Sequence, residues 1–191
     1  MAEAKEKGDK RFPLFVNDNP LRRLFLPPRR LTKPYVGKGQ IAADIGCGPG
    51  YYTLALAEYV GPEGKVYAVD VDEKAVGELE RKAAKRGISN VEARASSASD
   101  LGFIKDGSVD FVLCHGLLCS MAPKSHEAVV VEMRRILKPG GLAYVSVARG
   151  PWSYVGRAEW EKILAGFEVK KRSDGFLGFA HRAALVSPKR S

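Results

Sequence analysis

The feature that most constrains the fold is a regular alternation of short apolar segments with helical patterns between residues 40 and 148. Strands are predicted at 40–46, 65–71, 90–95, 109–116 and 142–148, and helices at 51–60, 72–87 and 126–137. Strands that alternate with helices predict a parallel sheet joined by right-handed crossovers. The first and fourth strands are apolar on both sides, which indicates that helices cover both faces of the sheet.

The C-terminal region departs from this alternation. A helical pattern over 157–167 is followed by two strand-like segments, EVKKRS and AHRAALVSP. Only about six residues rich in glycine and phenylalanine separate them, so they are predicted to pair as an antiparallel hairpin. The expected fold class is therefore α/β, a doubly wound and mostly parallel sheet.

The domain organisation follows from length and local composition. With 191 residues and 45% hydrophobic residues, the chain is expected to form one globular domain over 40–191. Residues 1–39 are expected to form a basic N-terminal tail and a cap or lid, with apolar and basic residues mixed over 12–26. Pro27 and Pro28 are expected to end any helix that begins at Leu21.

The positive charge is concentrated at the two ends of the chain. Lys and Arg outnumber Asp and Glu by 10 to 4 in residues 1–40 and by 9 to 4 in residues 149–191, whereas residues 41–148 hold 12 against 14. Two basic ends indicate an anionic partner, such as nucleic acid, an acidic metabolite or an anionic surface. A solvated, solubilising surface explains the same distribution.

Other composition features bear on location. The cysteines, Cys47, Cys114 and Cys119, form no CxxC pair, which indicates neither a disulfide framework nor a zinc site. No apolar run reaches the roughly 18 residues that a membrane span needs. We expect a soluble cytoplasmic protein without a bound metal. Three Asn and one Gln beside abundant charged residues also match the composition of thermophilic proteins.

The sequence DIGCGPG, residues 44–50, lies at the carboxyl end of the first strand, where open α/β sheets bind ligands. Its glycines allow a tight turn and a close approach of a ligand to the backbone. Asp70 follows twenty residues after Gly50, at the end of the second strand, and suits a ribose diol. The dinucleotide fingerprint fails at Tyr51, where it needs a small residue, and no GK[ST] of a P-loop follows.

DIGCGPG, AVDVDE and LKPGG together resemble a class I S-adenosylmethionine-dependent methyltransferase. The resemblance extends from about residue 38 to the C-terminus, and the terminal strand pair belongs to it. It implies a seven-stranded sheet in the order 3-2-1-4-5-7-6, with the last strand antiparallel. It also implies S-adenosylmethionine as the cofactor and leaves the acceptor open.

The resemblance implies roles for individual residues. Gly46, Cys47, Gly48 and Gly50 would pass beneath the methionyl and ribose parts of the cofactor, and Asp44 would hold this loop and approach the amino group. Asp70 would accept hydrogen bonds from the ribose hydroxyls, while Val71 would pack on adenine. Ser97 and Ala98 take the place where the family often has an acidic residue for the adenine amino group. Cys114 would border the methionyl end.

His115 is the candidate general base, because it ends the strand that lies beside the methyl donor and its pKa suits proton transfer. No chemistry is expected of His126 or His181. The [DN]-P-P-[YF] motif of amide and exocyclic-amine methyltransferases is absent after the fourth strand, and no acidic cluster there supports aminopropyl transfer.

Three functions are consistent with these observations. The favoured one is methyl transfer to a small-molecule acceptor, with the apolar and arginine-rich N-terminal segment as a lid. An rRNA or tRNA methyltransferase would use the basic termini on phosphates. A non-catalytic S-adenosylmethionine-binding module would explain the absent adenine-side carboxylate.

Overall fold

In the computed structural model, residues 27–150, 153–175 and 181–189 are described. The strands are β1 (Ile41–Ile45), β2 (Lys65–Asp70), β3 (Val91–Ala95), β4 (Val109–His115), β5 (Leu137–Ala148), β6 (Phe167–Gly175) and β7 (His181–Pro188). The helices are α1 (Pro28–Leu31), α2 (Tyr51–Val60), α3 (Glu73–Lys85), α4 (His126–Ile136) and α5 (Arg157–Ala165).

The seven strands form one sheet in the order β3-β2-β1-β4-β5-β7-β6. Neighbouring strands from β3 to β5 pair in parallel, whereas β7 pairs antiparallel with both β5 and β6. The predicted order, the hairpin and the antiparallel last strand are therefore confirmed. The carboxyl ends of β1, β2, β4 and β5 meet at one edge of the sheet, which we call the carboxyl edge.

Helices cover both faces of the sheet, as predicted. On one face, α2 packs through Tyr52, Leu56 and Val60 against the strand residues Val66 and Phe111. On the opposite face, α4 and α5 bury a larger apolar cluster. Alternate residues of the central strands enter the two cores, which explains why β1 and β4 lack a polar side.

The segment LKPGG differs in detail from the sequence prediction, which placed a turn before a strand at 142. The strand β5 begins at Leu137, directly after α4. Val109 pairs with Leu137 and Phe111 with Leu142, so the pairing advances two residues on β4 and five on β5. Gly140 has a φ of 82° and Pro139 has no N–H to donate, so this part of β5 bulges out of the ladder.

The described N-terminal residues lie beside the face that α2 covers. Tyr35 stacks on Phe111 at 5.9 Å and on Tyr144 at 6.5 Å between ring centroids. Pro27 is the N-cap of α1 and Pro28 is its first residue, so the two prolines begin a helix, and the helix expected from Leu21 lies outside the described residues. The predicted cap over 12–26 lies outside the described residues. Within the described part of the chain, no helix has the length and apolar character needed to cross a membrane.

Candidate active site

The glycine loop joins the end of β1 to the start of α2 at the carboxyl edge. The amides of Gly46 and Cys47 both donate to the carbonyl oxygen of Val69 in β2, at 2.8 and 3.0 Å. These two hydrogen bonds hold the loop against the end of β2, the neighbouring strand. The loop is therefore fixed to the sheet by its own backbone.

Asp70 ties the same loop to the end of β2. Its Oδ2 accepts a hydrogen bond from the amide of Gly48 at 2.8 Å, and its Oδ1 accepts one from the amide of Asp72 at 3.0 Å. A carboxylate has about four acceptor positions, so two remain after these bonds. The side chain is half-buried. Asp70 can therefore hold the loop and still accept two ligand hydroxyls.

Two glycines of the loop serve different purposes. Gly50 has a φ of 87°, and a Cβ built there would lie 2.3 Å from Cδ1 of Leu79 in α3. Gly48 has a φ of 51°, and a Cβ there would meet no atom within 4 Å. Gly50 thus allows two helices to pack closely, whereas Gly48 leaves the backbone open to a ligand.

Asp44 lies inside the molecule at the base of the loop, with 3% of its surface exposed. Its Oδ2 accepts a hydrogen bond from the hydroxyl of Thr53 in α2 at 2.6 Å. Cys47 is also buried, and burial, followed by the negative charges of Asp44 and Asp70, raises the pKa of its thiol. The thiol is therefore protonated and serves packing rather than nucleophilic chemistry.

The predicted adenine side has one open apolar residue and two serines. Val71, after β2, is 55% exposed and is one of two large hydrophobic residues that the described surface exposes. The hydroxyl of Ser97 is 2.7 Å from that of Ser99, and Ala98 beside it is buried. The structure thus presents an apolar surface at Val71, while the Ser97 hydroxyl already has a partner.

His115 ends β4 beside a cluster of aromatic and polar side chains. Its Nδ1 lies 2.5 Å from the hydroxyl of Ser146 in β5. The ring meets Tyr52 edge-on at 5.0 Å and His181 at 5.6 Å between centroids. Sequence analysis missed Tyr52, Ser146 and His181 at this position. His181 reaches it because β7 lies next to β5 and pairs His181 with Ala148.

Cys114, a predicted site residue, and His126, from which no chemistry is expected, both lie in the core. The thiol of Cys114 is fully buried, and this burial raises its pKa to about 12, so any contact of Cys114 with a ligand has to come from its main chain. His126 is buried as well, with Nδ1 2.8 Å from Glu159 and Nε2 2.8 Å from the carbonyl oxygen of Leu118. These contacts join α4 to α5 and to the segment after β4, a structural role.

The residues present fit S-adenosylmethionine. Gly48 leaves open space above the loop, the Asp70 carboxylate has acceptor positions for a ribose diol, and Val71 offers an exposed apolar surface next to it. An adenosine group requires space beside the backbone, acceptors for its ribose hydroxyls and an apolar surface for its base. The aromatic cluster around His115 lies across the carboxyl edge, on the β4 side of the loop.

Comparison with known proteins identifies the family. Residues 42–141 match the model of a methyltransferase domain family, and this range contains both the loop and Asp70. Together with the sheet order and the loop geometry, the match shows that the chain belongs to the class I S-adenosylmethionine-dependent methyltransferase family.

The chain is also similar to individual proteins. The chain is 42% identical over 107 residues to the demethylmenaquinone methyltransferase of Geobacillus stearothermophilus, a match that covers 56% of this chain and 44% of the relative. The chain thus spans less than half the length of the curated relatives it matches. Among solved structures, a SAM-dependent methyltransferase from Aquifex aeolicus aligns with a TM-score of 0.75 and 26% identity over 92% of this chain and 100% of that chain. A protein from Pyrococcus horikoshii aligns with a TM-score of 0.76 and 20% identity over 93% and 96%, which shows the shared fold.

Proposed function

We propose that the protein transfers the methyl group of S-adenosylmethionine to a small-molecule acceptor. The observation that carries the proposal is the Asp70 carboxylate, which holds the open Gly48 loop and keeps two acceptor positions at the carboxyl edge. The family supports the same cofactor. S-adenosylmethionine supplies an electrophilic methyl group on a sulfonium, so the protein's main task is alignment.

The cluster around His115 supports a role in proton transfer. Ser146 is buried and hydrogen-bonded to Nδ1, which fixes the ring orientation. When Nδ1 carries the proton and donates it to the Ser146 hydroxyl, Nε2 is the nitrogen that accepts a proton from the acceptor. We assign His115 as the general base and Ser146 as a positioning residue.

For the acceptor, we propose an aromatic or partly apolar small molecule. The half-buried rings of His115 and His181 give the site planar surfaces, and the buried Tyr52 packs edge-on against His115. The Geobacillus relative is named for demethylmenaquinone, so a short-chain demethylmenaquinone analogue is the first acceptor to test. We also propose a cytoplasmic location, since the three cysteines form no disulfide.

Calorimetric titration with S-adenosylhomocysteine tests the cofactor site. We expect micromolar binding that Asp70→Ala weakens by at least about tenfold, because two ribose hydrogen bonds to a charged group are lost. Asp72→Ala is the matched control: it removes the same charge two residues away, where the carboxylate caps α3 through the amide of Lys74. Its affinity should stay at the wild-type value. Equal losses in both variants would contradict the assignment of Asp70.

Methyl transfer from labelled S-adenosylmethionine tests the acceptor. We expect label in the demethylmenaquinone analogue and none in total rRNA or tRNA. His115→Gln should lower kcat and leave S-adenosylhomocysteine affinity unchanged, while Ser146→Ala should move the pH profile of kcat. Label only in RNA would establish the RNA methyltransferase instead, and cofactor binding without transfer to any acceptor would indicate a binding module.

A further inference from the structure

A second concave site lies away from the glycine loop, at the carboxyl edge on the face covered by α5. It is an open surface cavity of about 290 Å³ next to the buried Trp160, and the charged side chains around it are mostly exposed. Four arginines line it: Arg149 after β5, Arg157 at the start of α5, Arg172 in β6 and Arg182 in β7. These are four of the nine Lys and Arg residues in the basic C-terminal region.

The cavity carries a net positive charge. Besides the four arginines, it is lined by two carboxylates, Glu161 and Asp174, so the formal charge is 4 − 2 = +2. Arg172 is engaged with Glu161 through two hydrogen bonds of 2.7 and 2.9 Å. The pKa of Glu161 lies below its usual value, chiefly because of this pair and then because of the charges of Arg157 and Arg182.

Three of the arginines remain available for another anion. Among the described residues, no hydrogen bond or ion pair joins Arg149, Arg157 or Arg182 to a side chain. They line the cavity from three different parts of the chain. Because like charges repel, a bound anion would stabilise this arrangement. Arg157 is also the first residue of α5, whose N-terminus has no side-chain cap, so backbone N–H groups add to the positive potential.

We infer that this cavity is a binding site for the phosphate group of a soluble small molecule. A phosphate dianion matches the +2 charge, and guanidinium groups from several directions match its tetrahedral oxygens. The size favours a small ligand, since a pocket near 300 Å³ is at the lower limit for metabolite sites. A nucleic acid or a membrane would instead need an extended basic surface.

The site is distinct from the proposed methyl-transfer site but close to it. Arg182 follows His181 directly, and successive residues of a strand point to opposite faces of the sheet. His181 meets His115 on one face, while Arg182 lines the arginine cavity on the other. The inference depends on the cavity alone and does not require methyl transfer.

The test is calorimetric titration of the full chain with inorganic phosphate and pyrophosphate at constant low ionic strength. We expect saturable binding with one site per chain. Arg157→Gln and Arg182→Gln should each weaken it by about tenfold, the loss expected for one charge-assisted contact. Arg81→Gln is the matched control, because this exposed side chain on α3 bonds only to the carbonyl of Gly77 in its own helix. It should bind like wild type.

Further measurements distinguish phosphate binding from the binding of other anionic partners and from a failure of the variants to fold. Urea unfolding should give the same midpoint in all variants, which shows folded protein whether or not the proposed cofactor site binds S-adenosylhomocysteine. Phosphatidylglycerol vesicles and a single-stranded RNA should not displace pyrophosphate from its single site on the chain. Absence of saturable phosphate binding, equal weakening by Arg81→Gln, or binding only to vesicles or RNA would each overturn the inference.

Discussion

Replacing Gly50 by alanine should cost the protein more stability than the same replacement at Gly48. Both residues have a positive φ, which costs an alanine about 1–2 kcal/mol. At Gly50 the new methyl group would also lie 2.3 Å from Cδ1 of Leu79, a fully buried residue. Overpacking of this kind adds about 1–3 kcal/mol. The expected loss is therefore about 2–5 kcal/mol at Gly50 and about 1–2 kcal/mol at Gly48.

Urea unfolding of the two variants measures this difference, and a double-mutant cycle identifies its cause. Leu79→Ala removes the side chain that the new methyl group meets, so the loss in Gly50→Ala/Leu79→Ala should fall short of the sum of the single losses by about 1–3 kcal/mol. Gly48→Ala should weaken binding of S-adenosylhomocysteine more than Gly50→Ala does, because the methyl group at Gly48 enters the open space above the loop. Equal stability losses, or an additive cycle, would refute this explanation of the loop.

Three further predictions concern the Asp44–Thr53 hydrogen bond, the Glu132–Arg135 ion pair and the cysteine thiols. Thr53→Val should destabilise the protein by about 1–3 kcal/mol in urea unfolding, because the buried Asp44 loses a donor, and Thr53→Ser should retain most of the stability. Arg135 bonds to Glu132 and holds the pKa of its carboxyl below the usual 4.5. The stability from this pair is complete above that value and is lost as the pH falls through the lowered pKa, so a Glu132→Gln variant should differ from wild type at pH 7 and converge with it once the pH has fallen below the lowered pKa. All three cysteine thiols are buried with raised pKa values, and Ellman's reagent should modify them only after unfolding, whereas rapid modification of native protein would contradict their burial.

The sequence predicted the strands and helices closely because their signals are local. The helix over 51–60 begins after Gly50 and ends before Gly61, and the structure has α2 between the same residues. The apolar run of β1 and the position of Asp70 at the end of β2 could be read in the same way. These local signals were sufficient to predict that the glycine loop and the Asp70 carboxylate lie together.

Features that depend on register across the sheet could not be predicted. His181 lies beside His115 only because β7 pairs with β5 in one particular alignment. The bulge at Pro139 and Gly140 likewise depends on how β4 and β5 pair. The arginine cavity combines Arg149, which follows β5, with residues of α5, β6 and β7, so the sequence showed its charge without its shape.

The bonds from the amides of Gly48 and Asp72 to Asp70 also bear on the kinetics of ligand exchange. The loop needs no closing motion to present its backbone, because the Asp70 carboxylate, which we propose binds the ribose, already holds the loop in place. Association with S-adenosylmethionine should then be a single fast step without a slow conformational phase. The entropy of ordering the loop is lost during folding, so little of it opposes binding. Rearrangement of this loop should therefore not limit the exchange of the spent nucleoside for a fresh one.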